Sequence, residues 1–379
     1  MDLSDRRKQM DELDEQLLEL FDRRMRLSDE IARYKKENGL RVDDPVKERE
    51  LLDRITESSA PDMAYYNRML FLAMCEYSID HQRMILHDES TLVEEIRRAL
   101  SETPEAFPES AAVAVQGVQG AYSQQACDRF FRMPSILYMN TFRSVFAAIE
   151  SGLCEYGVLP IENSTAGSVN QIYDLMQEYH FYIVRSMRVQ ISHCLLANPG
   201  AEKAGIREIF SHEQAIAQCE KYLQDFPDAK ITVCENTAAA AKMVAESGRK
   251  DAAAIASGEC GRLYGLECLE ESVQDNDNNY TRFICITRDL RIFPGANRSS
   301  LLLVTGDAPG SLYRVLARFN AAGVNLRKLE SRPVPKRDDV YMFYFDIEES
   351  VYSDAFIRMM SQIEEITRSF KYLGSYQEI

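Results

Sequence analysis

The sequence predicts a multidomain chain in which an all-α segment is followed by an α/β segment and then by a smaller βαββαβ segment. Apolar residues near the N-terminus recur at three- and four-residue spacing, which is typical of amphipathic helices. From Ala111 onward short apolar strands alternate with helices, which indicates an α/β domain. Residues 299–376 are then predicted to form a strand, a helix, two strands, a helix and a strand, in that order. A chain of 379 residues is also too long for one ordinary core.

The first predicted helix covers residues 5–37 and carries a stripe of apolar residues. Its members are Met10, Leu13, Leu17, Leu20, Leu27, Ile31 and Tyr34. Arg24 takes one position of this stripe. A buried charge is costly unless it is paired, so Arg24 reaches the surface, meets an internal Glu or binds a ligand carboxylate.

Two more helices are predicted, one from Pro45 to Ser58 and one from Pro61 to about Leu86. The last of them places Ser78 and Gln82 one turn apart on an apolar face. Polar residues there either satisfy each other or line a pocket. Three such helices leave an apolar face uncovered, which predicts an intertwined helical dimer.

The α/β segment is predicted to form parallel sheets in two lobes with a cleft between them. Polar residues follow several predicted strands, where α/β proteins bind ligands. They are Gly117-x-x-Gly120-x-x-Ser123, Glu162-Asn163-Ser164, and Ser211-His212 with Gln218. An ordinary tight turn and a structural histidine are the alternatives for the first and the last.

The polar loop in Ser272–Phe283 leads directly into an apolar strand. It delivers Thr281 and Arg282 to the mouth of a sheet, and a hydroxyl beside a guanidinium suits a carboxylate ligand. The alternative is a surface loop with an Asx turn. In the C-terminal segment, the loop before Leu312 starts a helix and presents free N–H groups. It suits an amino-acid carboxylate, or it is a plain helix cap.

The composition excludes several classes of function. A net charge of −16 argues against a nucleic-acid surface, and it means that an anionic substrate needs local Arg and Lys clusters. The nine Cys show no C-x-x-C and no metal-ligand spacing, which fits free thiols in a reducing cytoplasm. The charged N-terminus is not a signal peptide. The longest apolar run, Leu70–Cys75, is far shorter than a membrane span.

Five motifs occur in the α/β segment in an order that resembles prephenate dehydratases. They are Gly117-Val118-Gln119-Gly120-Ala121-Tyr122-Ser123, Pro160-Ile161-Glu162-Asn163-Ser164, Ser211-His212-Glu213-Gln214, Tyr264-Gly265-Leu266 and Asn279-Tyr280-Thr281-Arg282-Phe283. Residues 1–86 resemble a helical chorismate mutase. Residues 299–376 resemble an ACT domain, with Gly310-Ser311-Leu312-Tyr313 and Glu330-Ser331-Arg332-Pro333. Nearly the whole chain is thus similar to the bifunctional chorismate mutase–prephenate dehydratase family of phenylalanine biosynthesis.

The resemblance implies four segments. They are a helical mutase domain at 1–90, a linker at 91–110, a two-lobed α/β dehydratase domain at 111–290 and a ferredoxin-like ACT regulatory domain at 298–379. For the mutase, it implies carboxylate clamps at Arg7 and Arg24 and donors to the ether oxygen at Lys35 and Gln82. The remaining implied contacts are hydroxyl acceptors at Asp44 and Glu48, Ser78 beside the ring, and Lys47 where the family usually has Arg.

Lys47 keeps a cation but lacks the bidentate fork of Arg. The mutase reaction is pericyclic and requires no nucleophile, proton transfer or cofactor, only positioning and charge stabilisation. Arg7 and Arg24 are 17 residues apart, and this separation is roughly 25 Å along one helix. One small substrate cannot reach both, so Arg7 is expected from a second chain.

For the dehydratase, the resemblance implies that Thr281 is the donor that helps hydroxide leave. It implies that Ser123, Glu162, Asn163, Ser164, Ser211, Gln218 and Arg282 contact the substrate. Glu213 replaces the Pro that is usual in the family's S-H-P-Q motif. For the ACT segment, it implies inhibition by phenylalanine bound at Pro309, Gly310, Ser311, Leu312, Asn325, Glu330, Ser331 and Arg332, in a homodimer or higher homo-oligomer.

Two alternatives remain open from the sequence. One is a dehydratase whose helical domain only dimerises, which the Lys47 departure allows. The other is a non-catalytic sensor that binds a small acid and an amino acid. The net charge and the absence of a basic helix-turn-helix pattern count against this sensor.

Overall fold

The computed structural model describes residues 2–42, 44–86, 90–334 and 340–379. The chain divides into two compact units, Met1–Val93 and Glu94–Ile379. Among the described helices, none combines the length and the hydropathy that a membrane-spanning segment requires.

The first unit is helical, as predicted. Its helices are α1 (Leu3–Glu37), α2 (Pro45–Ser58) and α3 (Ala64–Leu86). Asp2 and Asp5 form a capping box at the start of α1, and the Asp44 side chain caps α2, so both starts are encoded locally. Both α1 and α2 pack on α3. The predicted α1 stripe from Met10 to Tyr34 is at least half exposed in the single chain.

Helix α4 (Thr91–Glu102) precedes the second unit's sheets and falls within the predicted linker. Its Ile96 and Ala99 are buried. Phe107, later in the same stretch, packs its ring on Phe131, Tyr156 and Phe293 at centroid distances of 4.9–5.8 Å. The segment 94–110 is therefore anchored to the core of the second unit.

The α/β segment has eleven strands and seven helices among the described residues. In chain order they are β1 (Ala112–Gln116), α5 (Tyr122–Phe130), β2 (Ser135–Met139), α6 (Phe142–Glu150), β3 (Tyr156–Asn163), β4 (Gly167–Ser168), α7 (Asn170–Glu178), β5 (Tyr182–Gln190), β6 (Cys194–Ala197), β7 (Glu208–His212), α8 (Glu213–Gln218), α9 (Glu220–Leu223), β8 (Lys230–Cys234), α10 (Thr237–Ser247), β9 (Ala252–Ala256), α11 (Gly258–Tyr264), β10 (Glu267–Glu270) and β11 (Tyr280–Thr287). A short 3-10 turn at Lys203–Gly205 precedes β7.

These strands form two sheets, but the sheets are mixed and not parallel as predicted. The smaller sheet has the order β10-β6-β9-β7-β8, and the larger one contains β5-β11-β3-β1-β2. The chain leaves the larger sheet after β5, builds the smaller one and returns as β11. On its return β11 runs antiparallel to both β3 and β5. The prediction of an α/β domain is confirmed, and its strands are divided between two sheets.

The C-terminal segment follows the predicted order of strands and helices. Its elements are β12 (Arg298–Val304), α12 (Ser311–Ala321), β13 (Asn325–Pro333), β14 (Tyr341–Glu348), α13 (Asp354–Ile366) and β15 (Ser369–Glu378). The strands are ordered β13-β14-β12-β15, and β15 pairs with β5, so they extend the larger sheet.

Gly374 makes this junction possible. Its φ is +115°, and a Cβ there would lie 2.5 Å from the Ile183 carbonyl oxygen. Only glycine lets β15 approach β5 this closely.

Candidate active sites

A cavity of about 440 Å³ in the second unit brings together residues from both sheets. It includes four predicted dehydratase residues, Ser123, Asn163, Gln218 and Thr281. Asn163 ends β3 and Thr281 lies near the start of β11, directly opposite in the antiparallel register. The return of β11 beside β3 thus places the two side chains together.

Asn163 holds Thr281 in a defined orientation. Its Oδ1 accepts hydrogen bonds from the backbone N–H groups of Thr165 and Ala166 at 3.0 and 2.8 Å. Its Nδ2 therefore faces the other way and donates to Thr281 Oγ1 at 3.0 Å and to Asn279 Oδ1 at 2.8 Å. Because the Thr281 oxygen accepts this bond, its own hydrogen remains available as a donor.

Two residues of this cluster were not predicted as site residues, Asn279 and His193. Asn279 donates to Gln218 Oε1 at 2.9 Å, and His193 Nε2 lies 3.1 Å from the same oxygen. Asn279 is 1% exposed and His193 is 2% exposed. The available signals were that Asn279 opens the five-residue motif containing Thr281, and that a histidine immediately precedes an apolar stretch.

The cavity is lined by helix starts and not by basic side chains. Ala121, Val169 and Asn236, the residues that precede α5, α7 and α10, all line it. Ala121 and Val169 make no side-chain cap, so their helices present uncapped N–H groups. None of the described lining residues is Lys or Arg. The local Arg and Lys cluster that was expected for an anionic substrate is therefore not found among the described residues that line this cavity.

Three other predicted contacts lie outside this cavity. Ser211 is fully buried and donates to the Ile255 carbonyl oxygen at 2.7 Å. Ser164 accepts from the backbone N–H of Tyr280 at 2.9 Å and so fixes the loop before β11. Glu162 pairs with Lys328 at 3.0 Å. Each of these three side chains is engaged by a neighbouring strand or loop, and its predicted contact with substrate stays a prediction.

Arg282 also lies outside this cavity, because its side chain points away from the face on which Thr281 lines it. Successive strand residues point to opposite faces of a sheet. Arg282 donates to Asp346 of β14 and, at 2.9 Å, to the Tyr376 hydroxyl of β15. It also lies 3.3 Å from Glu378.

Asp346 is the acceptor at the centre of this buried cluster. Besides Arg282, it accepts from Ser300 at 2.5 Å, from Tyr344 at 2.6 Å and from Tyr376 at 3.1 Å. Burial opposes ionisation of this carboxyl, but the Arg282 charge and the hydrogen bonds outweigh it and lower the pKa of Asp346. The cluster ties β11 to the C-terminal strands.

His212 and Glu213 mark the start of α8. His212 Nδ1 accepts from the Gln214 backbone N–H at 3.2 Å, so this histidine caps a helix, and it also lines the cavity. Glu213 takes the first helical position and is exposed. The replacement of the usual Pro therefore leaves the turn intact.

In the helical unit, four predicted mutase residues are connected between α1 and α3. Arg24 Nη1 donates to Ser78 and, at 3.0 Å, to the Met74 carbonyl oxygen. Gln82 Nε2 donates to Ser28 at 2.8 Å. Lys35 Nζ donates to the Val42 carbonyl oxygen at 2.5 Å and lies 3.5 Å from Gln82 Oε1. These side chains form one polar face along α1.

The other mutase candidates are less closely connected to this face. Asp44 accepts from the Lys47 backbone N–H at 3.1 Å as the cap of α2. Lys47 pairs on the surface with Glu50 at 2.7 Å, and this partner raises the pKa of Lys47. Glu48 is close enough to Cys75 for its charge to raise the pKa of that thiol, although burial is the larger cause. Arg7 is exposed on α1.

The predicted effector residues fall into two separate groups. Pro309, Gly310, Ser311 and Leu312 line a cavity of about 630 Å³ that also contains Arg368. The β13 residues do not line it. Asn325 donates a hydrogen bond to Glu348 at 3.1 Å, and Glu330 accepts one from Ser168 at 2.6 Å. Arg332 forms an ion pair with Asp174 at 2.9 Å. Ser331 is exposed.

Comparisons with known proteins agree with these two units. Residues 6–83 match the family model of chorismate mutase type II, and residues 113–291 match that of prephenate dehydratase. The chain is 32% identical over 378 residues to the bifunctional chorismate mutase/prephenate dehydratase of Escherichia coli (strain K12), covering 98% of this chain and 95% of that protein.

Two solved structures share the fold of the second unit. One is a prephenate dehydratase from Arthrobacter aurescens in complex with L-Phe, with 27% identity and a TM-score of 0.65, covering 70% of this chain and 90% of that one. The other is described as GqqA, a quorum quenching acylase. It has 33% identity and a TM-score of 0.64, covering 71% of this chain and 98% of that one.

Proposed function

Because the chain belongs to the bifunctional chorismate mutase/prephenate dehydratase family, we propose that its two reactions take place at the two polar clusters described above. The chain converts chorismate to prephenate and prephenate to phenylpyruvate in phenylalanine biosynthesis. The Asn163–Thr281 cavity is the proposed dehydratase site. The α1–α3 face around Arg24 is the proposed mutase site.

The orientation of Thr281 is the observation that supports the dehydratase assignment. Prephenate loses a carboxylate as CO₂ and its ring hydroxyl as hydroxide, and aromatisation drives the reaction. The electron pair of the breaking C–C bond enters the ring as the C–O bond breaks. Negative charge grows on the departing oxygen, and the free hydrogen of Thr281 stabilises it.

The helix starts supply the proposed binding groups for the dianion. Uncapped N–H groups at α5 and α7 carry partial positive charge and bind carboxylates without a side-chain cation. Ser123, in the first turn of α5, and Gln218 add neutral donors. These groups place donors around the two carboxylates and leave the departing hydroxyl to Thr281.

The test is the change Thr281→Val, which keeps the shape of the side chain and removes the donor. Loss of one transition-state donor costs about 10²–10³ in rate, so prephenate turnover falls by that factor while chorismate turnover is unchanged. Thr281→Ser retains the hydroxyl and keeps most activity. Thr287→Val, at the far end of β11, is the matched control. A drop of less than about threefold, well below that range, would exclude Thr281 as the donor.

For the mutase, the proposal combines Arg24, Lys35 and Gln82 of one chain with Arg7 of a second chain. The α1 stripe that is exposed in the single chain becomes the dimer interface, which buries apolar surface. Lys35 and Gln82 then accelerate the reaction, because they stabilise the charge that grows on the breaking C–O bond. Asp44, Glu48, Ser78 and Lys47 remain proposed substrate contacts.

The regulatory part of the proposal is that the C-terminal βαββαβ segment is a ferredoxin-like ACT domain. Its loop at Gly310 starts α12 with φ +82° and lines a cavity, so it suits an amino-acid carboxylate. The β13 candidates Asn325, Glu330, Ser331 and Arg332 lie on the edge strand of the sheet. A second copy is the proposed cover for that edge, and phenylalanine bound across the interface is the proposed inhibitor. The nine free thiols support a cytoplasmic location.

A further inference from the structure

The hydrogen bonds around Thr281 form a chain whose direction is fixed by the backbone. Asn163 Oδ1 accepts from two backbone N–H groups, so its Nδ2 must face Asn279. The atom of Asn279 that meets a donor is Oδ1, which turns its Nδ2 towards Gln218 at 2.9 Å. The atom of Gln218 that meets this donor must be its oxygen.

The same reasoning fixes the tautomer of His193. Its Nε2 lies 3.1 Å from Gln218 Oε1, which is an acceptor, so Nε2 carries the hydrogen. His193 Nδ1 is buried and has no hydrogen-bond partner among the described residues. A bare acceptor is tolerated in such a place better than an unpaired N–H. Both ends of the chain therefore support one direction.

We propose that Asn279 and His193 are positioning residues of the dehydratase, and that with Asn163 and Gln218 they form a polarised relay that presents two donors to the substrate. One donor is the hydroxyl of Thr281 at one end of the relay. The other is the Nε2 amide of Gln218, whose oxygen is occupied by Asn279 and His193. Neither new residue needs to touch the substrate, because each acts by holding the next one.

This direction matters for an anionic substrate. The cavity has no described Lys or Arg, so each neutral group must present hydrogen and not a lone pair to the carboxylates. If Gln218 turned over, its oxygen would face the dianion and a donor would become a repulsive acceptor. The relay makes that rotation costly, since Asn279 and His193 would then each face a like group.

The proposal rests on the assignment of this cavity to the dehydratase reaction, and the sharpest test is Asn279→Asp. The change is isosteric and replaces the donor facing Gln218 with an acceptor. When the introduced carboxyl is ionised, Gln218 turns over, and kcat/KM for prephenate falls about 10²-fold, as for a lost transition-state donor. Asn278→Asp adds the same charge at the neighbouring exposed position and leaves turnover near wild type.

The pH profile separates this role from a merely structural one. As the pH falls, the introduced carboxyl becomes protonated, and its O–H again donates to Gln218, so the variant regains activity. Burial raises the pKa of such a carboxyl, so recovery begins above its ordinary value of about 4. The wild type shows no such gain.

Several titratable groups lie near the relay. Asp275, whose backbone N–H donates to the Gln218 carbonyl oxygen at 2.7 Å, and Asp277 precede Asn279 in the same loop. The Tyr122 ring packs against His193 at 6.2 Å, and burial raises the pKa of Tyr122. His212 and Glu235 also line the cavity. Burial lowers the pKa of His193 itself, so its imidazole is neutral at physiological pH. These groups are shared by the variant and the wild type, so a recovery confined to the variant belongs to the introduced carboxyl.

A spectroscopic readout checks the tautomer directly. In ¹⁵N-histidine-labelled enzyme, His193 is expected as the Nε2–H tautomer and is identified among the five histidines by its loss in His193→Gln. In Asn279→Asp above the pKa of the new carboxyl, it switches to Nδ1–H. His193→Gln supplies an amide N–H near the position of Nε2 and keeps most of the activity. His193→Phe has no such donor and loses the activity.

The outcomes decide the two questions separately. Full activity of Thr281→Val overturns the site assignment, whatever the relay variants do. Loss of activity in Thr281→Val with full activity in Asn279→Asp overturns the relay alone. The relay is also overturned if Asn279→Asp loses activity, does not recover it at low pH and shows no change in the His193 tautomer. If Asn279→Asp does not fold, equal activity of His193→Gln and His193→Phe overturns the relay instead.

Discussion

Replacing Asp346 with Asn removes the negative charge of the buried Arg282–Asp346 ion pair and keeps the shape of the side chain. Asp346 is fully buried, and the Arg282 side chain is 6% exposed. In Asp346→Asn the guanidinium keeps Glu378, at 3.3 Å, as its remaining carboxylate. Glu378 is also shared with Arg298 at 3.2 Å, so it compensates only in part. The new amide also presents hydrogen to hydroxyls that now donate to the carboxylate.

The expected destabilisation follows from the burial of the pair. Removing one partner of a buried ion pair costs about 3–5 kcal/mol, because the other charge remains without its counterion. For a unit of this size, 1 kcal/mol shifts the melting temperature by about 2–4 °C, so Tm falls by about 6–20 °C. Asp228→Asn, at an exposed position, changes stability by less than about 0.5 kcal/mol.

The pH dependence gives the effect its sign. The pKa of Asp346 is lowered in the folded chain. Its stabilisation is therefore fully present above the unfolded value of about 3.9 and is lost as the pH falls through the lower folded value. The variant lacks this part of the acid transition, so the difference in Tm between wild type and Asp346→Asn narrows below about pH 4.

Calorimetry of the full chain at neutral and acidic pH measures both effects. Adding Arg282→Met to Asp346→Asn removes the unpaired charge and recovers part of the loss, which gives a double-mutant cycle. If Asp346→Asn lowers Tm no more than Asp228→Asn does, the cluster does not hold β11 to the C-terminal strands and the reasoning fails.

Three further predictions concern the other sites. Arg24→Ala and Arg7→Ala should each abolish most mutase activity, whereas exposed Arg26→Ala should not. Mixing the two inactive variants should restore a quarter to a half of the activity if each site takes Arg24 from one chain and Arg7 from the other. No recovery would refute sites shared between chains. Gly310→Val should leave prephenate turnover intact and remove its inhibition by phenylalanine, and unchanged inhibition in a titration would exclude that loop. Gly374→Ala should lower the free energy of unfolding by more than the roughly 1 kcal/mol expected for Gly323→Ala. Both glycines have positive φ, but only Gly374 has no space for a Cβ atom. Equal shifts in Tm for the two variants would refute the close approach of β15 to β5.

Strands β3 and β11 show most clearly what could be predicted from the sequence and what could not. Periodicity located both strands, and the family motifs named Asn163 and Thr281, which the structure brings together. The same motifs also named Glu162 and Arg282, each adjacent to one of them in sequence. Side chains alternate across a strand, so a motif read as a unit mixes residues from two faces. Which face meets the cavity depends on the register of β11, and its bulge between Arg282 and Phe283 carries no local sequence signal.

Long-range contacts explain what else the sequence did not reveal. His193 and Asn279 are far apart in the chain, and both contact Gln218 only because the chain crosses twice between the sheets. The short strands β6 and β10 were missed, and the antiparallel return of β11 is a property of topology. The helices of the first unit were easier, since caps and periodicity encode them locally.

The absence of Lys and Arg from the described cavity lining has a kinetic consequence. Prephenate is a dianion, and the chain carries a formal net charge of −16. Helix starts attract anions only over a short range, so at a distance the substrate meets a repulsive field that slows its approach. Salt shortens the Debye length to about 8 Å at physiological ionic strength and screens this repulsion. The dehydratase should therefore capture prephenate faster at moderate salt than in dilute buffer, and a site built around guanidinium groups would behave in the opposite way.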